Sequence, residues 1–356
     1  MRLLLLIDNL GAGGAQRQFV GLAAMLKKNN YEVLVITYQD VPFFLPYLQE
    51  HNVDYKWIQK AGKKSTRIYY VYKAIREYKP DWVISYLDTP SIIACICKML
   101  GLRFKLLVSE RNTTQKKRKE SFKFWLFRIA DVIVTNAYSQ KSFINLHYPK
   151  LSTRTHTITN FVDTNYFICG KVKVTHAIPK IVIIATIWPS KNTLSFIDAV
   201  KVASMTGAQF EIHWYGLLKE NQDYIKLCQD KIEKHHLSSQ IILLSKTTKI
   251  KQIYCDADYF CLPSLYEGTP NALCEALACG LPVICSNVCD NPRFVKDGLN
   301  GYLFDPRSVH SMAEAISRIL KISKEEYNAF SKKSREIAIE LCSKEVFLNN
   351  YMSLLQ

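Results

Sequence analysis

The feature that most constrains the fold is a regular alternation of short apolar runs with amphipathic stretches, which occurs twice along the 356 residues. Strands that are apolar along their whole length and alternate with helices are typical of parallel sheet buried on both faces. The first half is therefore predicted to be a doubly wound α/β domain. Its predicted strands are 2–7, 31–37, 53–58, 81–86, 104–108, 131–135 and 155–159, and its predicted helices are 15–29, 65–78, 90–101, 116–129 and 138–147.

A second domain follows a linker. Residues 160–180 show little periodicity and contain the polar and turn-forming residues typical of a connection between domains. A chain of this length usually divides, because single cores stop growing at about 250–300 residues. We predict two Rossmann-like domains facing a cleft, 1–168 and 169–342, with a C-terminal helix at 343–356 that can pack back on the first. The second domain has predicted strands at 180–186, 209–215, 240–244, 257–262 and 281–286, and predicted helices at 191–204, 221–236, 271–279 and from about 308 onward.

Hydropathy and cysteine usage indicate a cytoplasmic protein. No segment reaches the ~18 uninterrupted apolar residues of a spanning helix. The run Leu3–Ile7 is too short for a signal peptide and is predicted to be a buried first strand. Eleven cysteines are scattered among apolar neighbours, and none has the C-x-x-C spacing of a zinc site. They are expected to be reduced, small apolar side chains, with no metal bound.

The positive charge is concentrated in the first half. Of the 47 basic residues 25 lie within the first 170 positions, whereas only 12 of the 31 acidic residues do. This asymmetry predicts a polyanionic partner for that half, either phospholipid head groups, a lipid pyrophosphate or nucleic acid. The stretch from Lys116 to Arg128 adds aromatic residues to the charge, which is typical of peripheral membrane helices. Phe124 and Phe127 equally fit the inner face of a packed helix, and both interpretations stay open.

The segment from Pro263 to Val283 carries the clearest functional signal. It is predicted to be a strand end, a loop, a helix capped by Thr269 or Asn271, and a left-handed Gly280 that ends the helix. The loop would present backbone N–H groups at a positive helix terminus, where phosphate or sugar hydroxyls bind. Glu267 and Glu275 are separated by seven residues, and carboxylates accept paired hydrogen bonds from vicinal diols. The alternative is that both acids are ordinary helix-start and helix-surface residues.

The spacing Glu267-(seven residues)-Glu275 resembles the signature of family-4 retaining glycosyltransferases of the GT-B fold. Four further segments resemble elements of that family, in the same order along the chain. They are the glycine loop Gly11-Ala-Gly-Gly14-Ala-Gln-Arg17, Asn160-Phe-Val-Asp163, Ala185-Thr-Ile-Trp-Pro-Ser-Lys191-Asn192, and Asp297-Gly-Leu-Asn-Gly-Tyr-Leu-Phe-Asp-Pro306.

The resemblance implies a metal-independent enzyme that transfers a hexose or N-acetylhexosamine, with retention, from a nucleotide-diphosphate sugar such as a UDP-sugar. The expected acceptor is a lipid-linked or oligosaccharide chain in surface-polysaccharide assembly at the inner membrane, and nucleic acid is not an expected partner. Glu267, Lys191 and Arg111 are the implied catalytic residues. The implied donor-binding residues are Gly13, Gly14, Lys191, Glu267, Gly268, Thr269, Pro270, Asn271 and Glu275.

Further residues are assigned to the acceptor and the membrane. Glu110, Arg111 and Asn112 follow a predicted strand, and we expect them to orient the acceptor, the alternative being a loop ion pair. The expected membrane residues are Lys116, Lys117, Arg118, Lys119 and Trp125.

Two positions depart from the family pattern. The arginine that usually accompanies the diphosphate lysine is Thr186 here, and the glycine of the N-G-V-D element is Phe161. The missing charge is expected to come from Arg111 first, or from Arg293 or Arg17.

Other functions explain fewer of these features. The pair Asp256-Ala-Asp258 lies at the start of a predicted strand, the wrong end for ligands, and is predicted to be structural rather than a metal clamp. The loop after the first strand lacks the third glycine of a dinucleotide fingerprint, since position 16 is Gln16. A sugar-nucleotide epimerase of the same fold, or a basic protein that binds membrane or nucleic acid without catalysis, are the remaining alternatives.

Overall fold

The structure is a computed structural model that describes residues 1–111, 117–169, 176–217 and 219–356, with the side chains of 117–121 and 219 outside the description. It divides into two compact units. The first comprises Met1–Thr159 with Phe347–Gln356, and the second comprises Asn160–Val346. The domain boundary therefore lies before Asn160, whereas the sequence predicts it at 168/169, and the last ten residues belong to the first unit.

The strands follow the predicted apolar runs closely. They are β1 Arg2–Leu6, β2 Glu32–Thr37, β3 Asp54–Trp57, β4 Trp82–Tyr86, β5 Lys105–Glu110, β6 Val132–Thr135, β7 Thr155–Thr157, β8 Lys180–Ile184, β9 Glu211–Leu217, β10 Ile241–Ser245, β11 Tyr259–Leu262, β12 Val283–Ser286 and β13 Gly301–Phe304.

The helices are α1 Gly14–Lys28, α2 Leu45–Glu50, α3 Lys64–Tyr78, α4 Asp88–Met99, α5 Lys117–Leu126, α6 Tyr138–His147, α7 Thr193–Ser204, α8 Gln222–Lys234, α9 Ile250–Asp256, α10 Asn271–Ala278, α11 Asn291–Phe294, α12 Val309–Ile319, α13 Lys324–Cys342 and α14 Lys344–Leu354. Among the described residues, no helix is long and apolar enough to span a membrane.

The first unit contains a seven-stranded parallel sheet in the order β3-β2-β1-β4-β5-β6-β7. Residues Leu3–Leu6 are completely buried, as a central strand covered on both faces requires. Strand order reverses between β1 and β4, so the connections leave these two strands toward opposite faces. In such sheets the carboxyl ends of the strands flanking the reversal form the ligand-binding crevice.

The second unit contains a six-stranded parallel sheet in the order β10-β9-β8-β11-β12-β13. Here the reversal lies between β8 and β11. The prediction of two doubly wound α/β domains is therefore confirmed. The short elements α2, α9, α11 and β13 were not among the individually predicted ones, because four to seven residues hold too few turns or alternations to show a period.

One expectation about cysteine is wrong. Cys169 and Cys255 form a disulfide, so these two are not free thiols in this structure. The spacing of 86 residues hides the pair from the sequence. The apolar expectation is correct for Cys95, Cys97 and Cys261, which are completely buried.

Candidate functional site

The candidate site is built on the switch point of the second sheet. β8 and β11 are adjacent and parallel, so the loops that follow them leave the same edge side by side. One loop carries Lys191 and the other carries Glu267, and the two lie 76 positions apart in sequence. The backbone N–H of Leu265 donates to the carbonyl of Ser190 at 2.9 Å and joins the loops directly. The topology therefore brings two of the predicted site residues together.

Glu267 is held by two donors at one oxygen. Lys191 Nζ lies 2.5 Å from Glu267 Oε1, and the Ser264 hydroxyl donates to the same atom at 2.6 Å. The side chains of Glu267 and Lys191 are 11% and 24% exposed, so the pair is largely desolvated but accessible from one side. The Coulomb attraction of such a partly desolvated pair is less screened than that of a pair at the open surface. The arrangement fixes a carboxylate and an ammonium group beyond the carboxyl ends of β8 and β11.

Lys191 is oriented by its local backbone. Residues Pro189–Lys191 form a single 3-10 turn, and Asn192 follows in the left-handed conformation with φ of 60°. Asparagine tolerates this conformation better than most residues. The Asn192 side chain then donates to the carbonyl of Pro306 at 2.7 Å, which anchors the start of α7. Lys191 is therefore followed directly by the residue whose left-handed backbone turns the chain into α7.

Gly216 is a supporting residue that sequence reasoning missed. A Cβ atom at this position would lie 1.8 Å from the carbonyl oxygen of Ala185, so only glycine fits between β9 and the loop after β8. The N–H groups of Ala185 and Ile187 donate to the carbonyls of Tyr215 and Gly216. Trp214 Nε1 donates to the carbonyl of Ala185 at 2.8 Å from the same strand. A glycine inside a strand is the sequence signal for such a close approach.

The helix that follows the Glu267 loop begins and ends close to the predicted positions. α10 spans Asn271–Ala278, and Gly280 has a φ of 73°, which confirms the predicted left-handed stop. The predicted caps are wrong: the N-cap residue is Pro270, which has no side-chain capping bond. The φ of Pro270 lies in the range to which the proline ring restricts it, so the residue fits this position without strain. Gly268 and Thr269 precede it in the loop.

Glu275 lies one turn into α10 and is 4% exposed. The Tyr254 hydroxyl donates to Glu275 Oε2 at 3.0 Å, and the same hydroxyl contacts the carbonyl of Ala272. Tyr254 itself is completely buried in α9. The structure thus gives Glu275 a structural partner, and its predicted contact with a ribose stays a prediction.

Asn160 braces the loop at the start of α10. Its side-chain amide donates to the carbonyl of Thr269 and to Asn271 Oδ1, both at 2.9 Å. Asp163 accepts from the backbone N–H of Tyr166 at 3.0 Å and from the Lys344 ammonium. The neighbouring Phe161 is buried. Asn160 therefore fixes the loop before α10, whereas Asp163 holds the turn that follows it and the start of α14.

The glycine loop of the first unit follows β1. Gly13 is the N-cap of α1, and its N–H donates to the carbonyl of Gly11 at 2.8 Å. A Cβ atom on Gly13 would lie 2.1 Å from the side chain of Gln16. Asp8, at the end of the same strand, accepts a hydrogen bond from Tyr38, and burial raises the pKa of its carboxyl. The loop places backbone N–H groups at a strand end, and the expected role of Gly13 and Gly14 in phosphate binding stays a prediction.

Glu110 pairs with a buried lysine. Glu110 is 1% exposed, and its Oε2 lies 2.6 Å from Lys123 Nζ, which also donates to Asp88 at 3.1 Å. Lys123 is 5% exposed. These contacts match the alternative interpretation, in which Glu110 belongs to an ion pair. The side chain of Asp88, at the start of α4, is more exposed to solvent than those of Glu110 and Lys123. The acceptor role of Glu110 stays a prediction.

Arg111 contacts two tyrosines of the first unit. Its guanidinium lies 4.2 Å from the centre of the Tyr86 ring, and it donates to the Tyr351 hydroxyl at 3.1 Å. Tyr86 and Tyr351 are hydrogen-bonded to each other at 2.7 Å. Burial raises the pKa of Tyr86, so the phenol stays neutral. The structure gives Arg111 a packing role on the C-terminal segment, and its service as the missing diphosphate cation stays a prediction, as for Arg17 and Arg293.

The basic helix has two distinct aromatic faces. Phe124 and Phe127 are 1% exposed and belong to the core, whereas Phe122 and Trp125 are 65% and 53% exposed. The exposed rings are stacked, with centroids 6.1 Å apart. The packed-helix interpretation is therefore confirmed for Phe124 and Phe127, whereas membrane contact by the exposed face stays a prediction. Asn112 and Lys116 lie outside the described residues, as do the side chains of Lys117, Arg118 and Lys119.

Asp258 lies at the opposite edge of the second sheet, before β11. Its carboxylate accepts hydrogen bonds from the backbone N–H groups of His176 and Lys180, at 3.3 and 2.8 Å, and from Nδ1 of the His176 ring at 2.8 Å. Its position at the start of the strand is the predicted one. These hydrogen bonds satisfy the buried carboxylate of Asp258, so its burial needs no ligand to explain it.

Comparison with known families covers nearly the whole chain. The family model described as Glycosyltransferase Family 4 matches residues 12–166, and that described as Glycosyl transferases group 1 matches residues 171–337.

Two named proteins are similar to this chain, one over most of its length and one over a shorter stretch. A Campylobacter jejuni protein named GalNAc-alpha-(1->4)-GalNAc-alpha-(1->3)-diNAcBac-PP-undecaprenol alpha-1,4-N-acetyl-D-galactosaminyltransferase is 25% identical over 336 residues, 90% of this chain and 89% of that protein. An Escherichia coli protein named UDP-Gal:alpha-D-GlcNAc-diphosphoundecaprenol alpha-1,3-galactosyltransferase is 31% identical over 140 residues, 38% of this chain and 35% of that protein.

Solved structures share the fold. A glycosyltransferase from Rickettsia africae superimposes with a TM-score of 0.87 at 15% identity, covering 99% of this chain and 97% of that one. Anabaena Alr3699/HepE in complex with UDP and glucose superimposes with a TM-score of 0.85 at 18% identity, covering 100% and 99%.

Proposed function

Because the chain belongs to the glycosyltransferases of the GT-B fold, we propose that it transfers a sugar, with retention of configuration, from a UDP-sugar to a lipid-linked glycan. The transferred sugar in this proposal is a hexose or N-acetylhexosamine. The observation that carries it is the Lys191–Glu267 pair at the switch point of the second sheet, beside the N-terminus of α10. An acid and a cation are there held against backbone donors, as a sugar diphosphate needs.

Each group of the pair has a defined task in this proposal. Glu267 accepts hydrogen bonds from hydroxyls of the transferred sugar, and Lys191 neutralises the diphosphate. The N–H groups of Gly268, Thr269 and Asn271 add donors at the positive end of α10, whereas Pro270 has none. Glu275 takes the ribose hydroxyls. Gly13 and Gly14 of the first unit let backbone approach the donor phosphate or the acceptor.

The chemistry relies on electrostatic stabilisation. Breaking the glycosidic bond builds positive charge on the sugar and negative charge on the departing phosphate. A lysine and N–H groups already aimed at that phosphate stabilise the transition state without reorganisation. The proposal includes attack from the front face, with no covalent intermediate and no metal ion in the reaction.

The ion pair explains how the site keeps its charges before the donor binds. Lys191 neutralises Glu267, so neither charge is left alone in a partly desolvated loop. When a diphosphate arrives, Lys191 can exchange the carboxylate for phosphate oxygens, while Ser264 continues to donate to Glu267. Glu267 then turns its second oxygen toward the sugar.

The relatives support the choice of substrates. The name of the Escherichia coli relative includes a UDP-sugar and a diphosphoundecaprenol acceptor, and that of the Campylobacter relative includes an undecaprenol-linked acceptor. We extend this chemistry to the present chain, which would act at the cytoplasmic face of the inner membrane. Capsule or lipopolysaccharide assembly is the corresponding process.

The first experiment separates donor binding from transfer. Glu267→Gln removes the charge but keeps the shape, Lys191→Gln removes the diphosphate cation, and Glu340→Gln is the matched control on an exposed face of α13. We expect transfer from UDP-sugars to an undecaprenyl-diphosphate saccharide to fall at least 100-fold in both site variants. UDP binding should weaken only in the Lys191 variant.

The same assay decides the competing functions. Product anomers read by NMR test retention, and activity in EDTA tests metal independence. An epimerised UDP-sugar formed without acceptor would replace the transferase proposal with the epimerase. Wild-type transfer by Glu267→Gln would remove the site assignment.

Membrane association in the proposal rests on the exposed aromatic pair of α5. Phe122 and Trp125 add apolar contact to the basic excess of the first half. Phe122→Ser with Trp125→Ser should abolish sedimentation with vesicles containing phosphatidylglycerol, without changing UDP binding. Leu146→Ser is the matched control, because Leu146 is 76% exposed on α6. Unchanged sedimentation of the double variant would reject this contact.

A further inference from the structure

Three cysteines meet at the edge of the second sheet that is opposite to the candidate donor site. Cys169 and Cys255 form the disulfide, and the Cys279 sulfur lies close to both, so that all three Sγ atoms are within 4.8 Å of one another. Cys169 and Cys255 are half-buried, and Cys279 is 8% exposed.

The topology explains this meeting. α9 ends at Asp256, just before β11 begins, and α10 ends at Ala278, just before β12 begins. β11 and β12 are adjacent and parallel, so Cys255 and Cys279 lie at the amino edge of the sheet. The candidate donor loops leave the carboxyl edge, at the other end of these strands. The cysteine cluster is therefore independent of the Lys191–Glu267 pair.

Arg335 holds two of the cysteine segments in place. Its guanidinium donates to the carbonyl of Phe167 at 2.9 Å and to the carbonyl of Ala278 at 2.6 Å. Phe167 lies two residues before Cys169, and Ala278 directly precedes Cys279. A cavity of about 340 Å³ opens beside the cluster, lined by Cys169, Cys279, Tyr327, Asn328, Lys332 and Arg335 among others. Arg335 thus holds the cluster in position, Arg335 and Lys332 place positive charge beside it, and the cavity leaves one side of it open.

We propose that the reduced cluster is a soft-metal site, in which Cys169, Cys255 and Cys279 bind one Zn²⁺ as thiolates. Thiolate ligands select zinc and other soft ions, with Zn–S distances of about 2.3 Å and tetrahedral geometry. Sulfurs in such a site lie roughly 3.8 Å apart. The Cys279 sulfur already lies within 4.8 Å of the other two, which separate when their bond is reduced. The fourth position opens to the cavity and takes a water molecule.

Disulfide and metal are mutually exclusive states of the same residues. A dithiol reductant transfers two electrons and two protons to the Cys169–Cys255 bond, and is itself oxidised to a disulfide. Zinc then displaces the thiol protons. Three thiolates with Zn²⁺ carry one net negative charge, which Arg335 and Lys332 complement from the cavity wall. A reducing compartment favours the metal-bound state.

The test uses the whole chain, reduced and freed of metal. Zinc is titrated in competition with a chromogenic chelator, and Co²⁺ is used to detect thiolate-to-cobalt charge-transfer absorption. We expect one zinc per reduced chain, at least tenfold weaker binding in Cys279→Ser and in the oxidised chain, and unchanged binding in Cys289→Ser. Cys289 is the matched control, because it is an exposed free cysteine that is not part of the cluster. Equal zinc affinity in the reduced wild type and Cys279→Ser overturns the proposal.

A second measurement needs no substitution. Zinc should slow alkylation of Cys169, Cys255 and Cys279 in the reduced wild type, read by peptide mass spectrometry, and leave Cys289 unprotected. Identical labelling with and without zinc also overturns the proposal.

Discussion

Replacing Gly216 by alanine tests how the site lysine is supported. The added Cβ would lie 1.8 Å from the carbonyl oxygen of Ala185, 2.6 Å from its carbon and 3.0 Å from the Cα of Thr186. Real Cβ contacts stay beyond about 3.0 Å, so strand and loop must separate by about 1.2 Å. All three obstacles are backbone atoms, which cannot rotate away as a side chain can.

The expected magnitude follows from that displacement. Overpacking a well-packed region costs about 1–3 kcal/mol, and we expect the upper end because backbone hydrogen bonds of Ala185 and Ile187 are stretched as well. The same loop carries Lys191, and a misplacement of ~1 Å in a catalytic geometry can reduce the rate about 100-fold. Gly216→Ala should therefore lose both stability and transfer activity.

The assay combines urea unfolding with UDP release in the presence of acceptor. Gly62→Ala is the control: its backbone is helical at φ of −60°, and its nearest neighbour would be the Gln59 carbonyl at 3.3 Å. The control should stay within about 0.5 kcal/mol of wild type. Wild-type stability and wild-type turnover in Gly216→Ala would refute the argument that this glycine sets the position of the loop.

Three further perturbations test single interactions. Arg111→Lys should destabilise the first unit by about 1–2 kcal/mol in urea unfolding, because lysine loses the planar stacking on Tyr86, and an unchanged midpoint would contradict this. Lys123→Met should cost about 3–5 kcal/mol because it leaves the buried carboxylate of Glu110 without this cation, and the loss should shrink when Glu110→Gln is added; additive losses would contradict the pairing. Burial tends to raise the pKa of Asp163, but hydrogen bonds from Lys344 and from backbone N–H groups outweigh it and lower the pKa. Its stabilisation is therefore present above the unfolded value of about 3.9 and lost as pH falls through the lower folded value, so Asp163→Asn should flatten the acid limb of the stability curve, and an unaltered limb would contradict it.

The sequence predicts the long elements of the fold well and the support of the site poorly. Fully apolar runs such as Leu3–Leu6 identify buried parallel strands, and the position of Lys191 and Glu267 after two such strands predicts their shared edge. That β8 and β11 are neighbours depends on strand order, which local patterns do not contain. Gly216 is visible in the sequence only as a glycine in a strand, which is a weak signal for a close backbone approach.

Long-range pairs account for the remaining differences. The N-cap of α10 differs from prediction because Asn271 is turned toward Asn160, 111 positions away. The Cys169–Cys255 bond likewise joins segments 86 positions apart. No periodicity or local capping rule reports such contacts, since they arise only when the sheet has assembled.

The return of the last ten residues to the first unit has a consequence for biosynthesis. Tyr351 is completely buried there, between Tyr86 and Arg111, and Leu355 is 1% exposed. During translation, the N-terminal sheet leaves the ribosome with this place still open, and the entire second unit emerges before the missing helix does. The N-terminal domain therefore cannot complete its packing until Phe347–Gln356 has been made, and before then it exposes an apolar surface that chaperones can recognise.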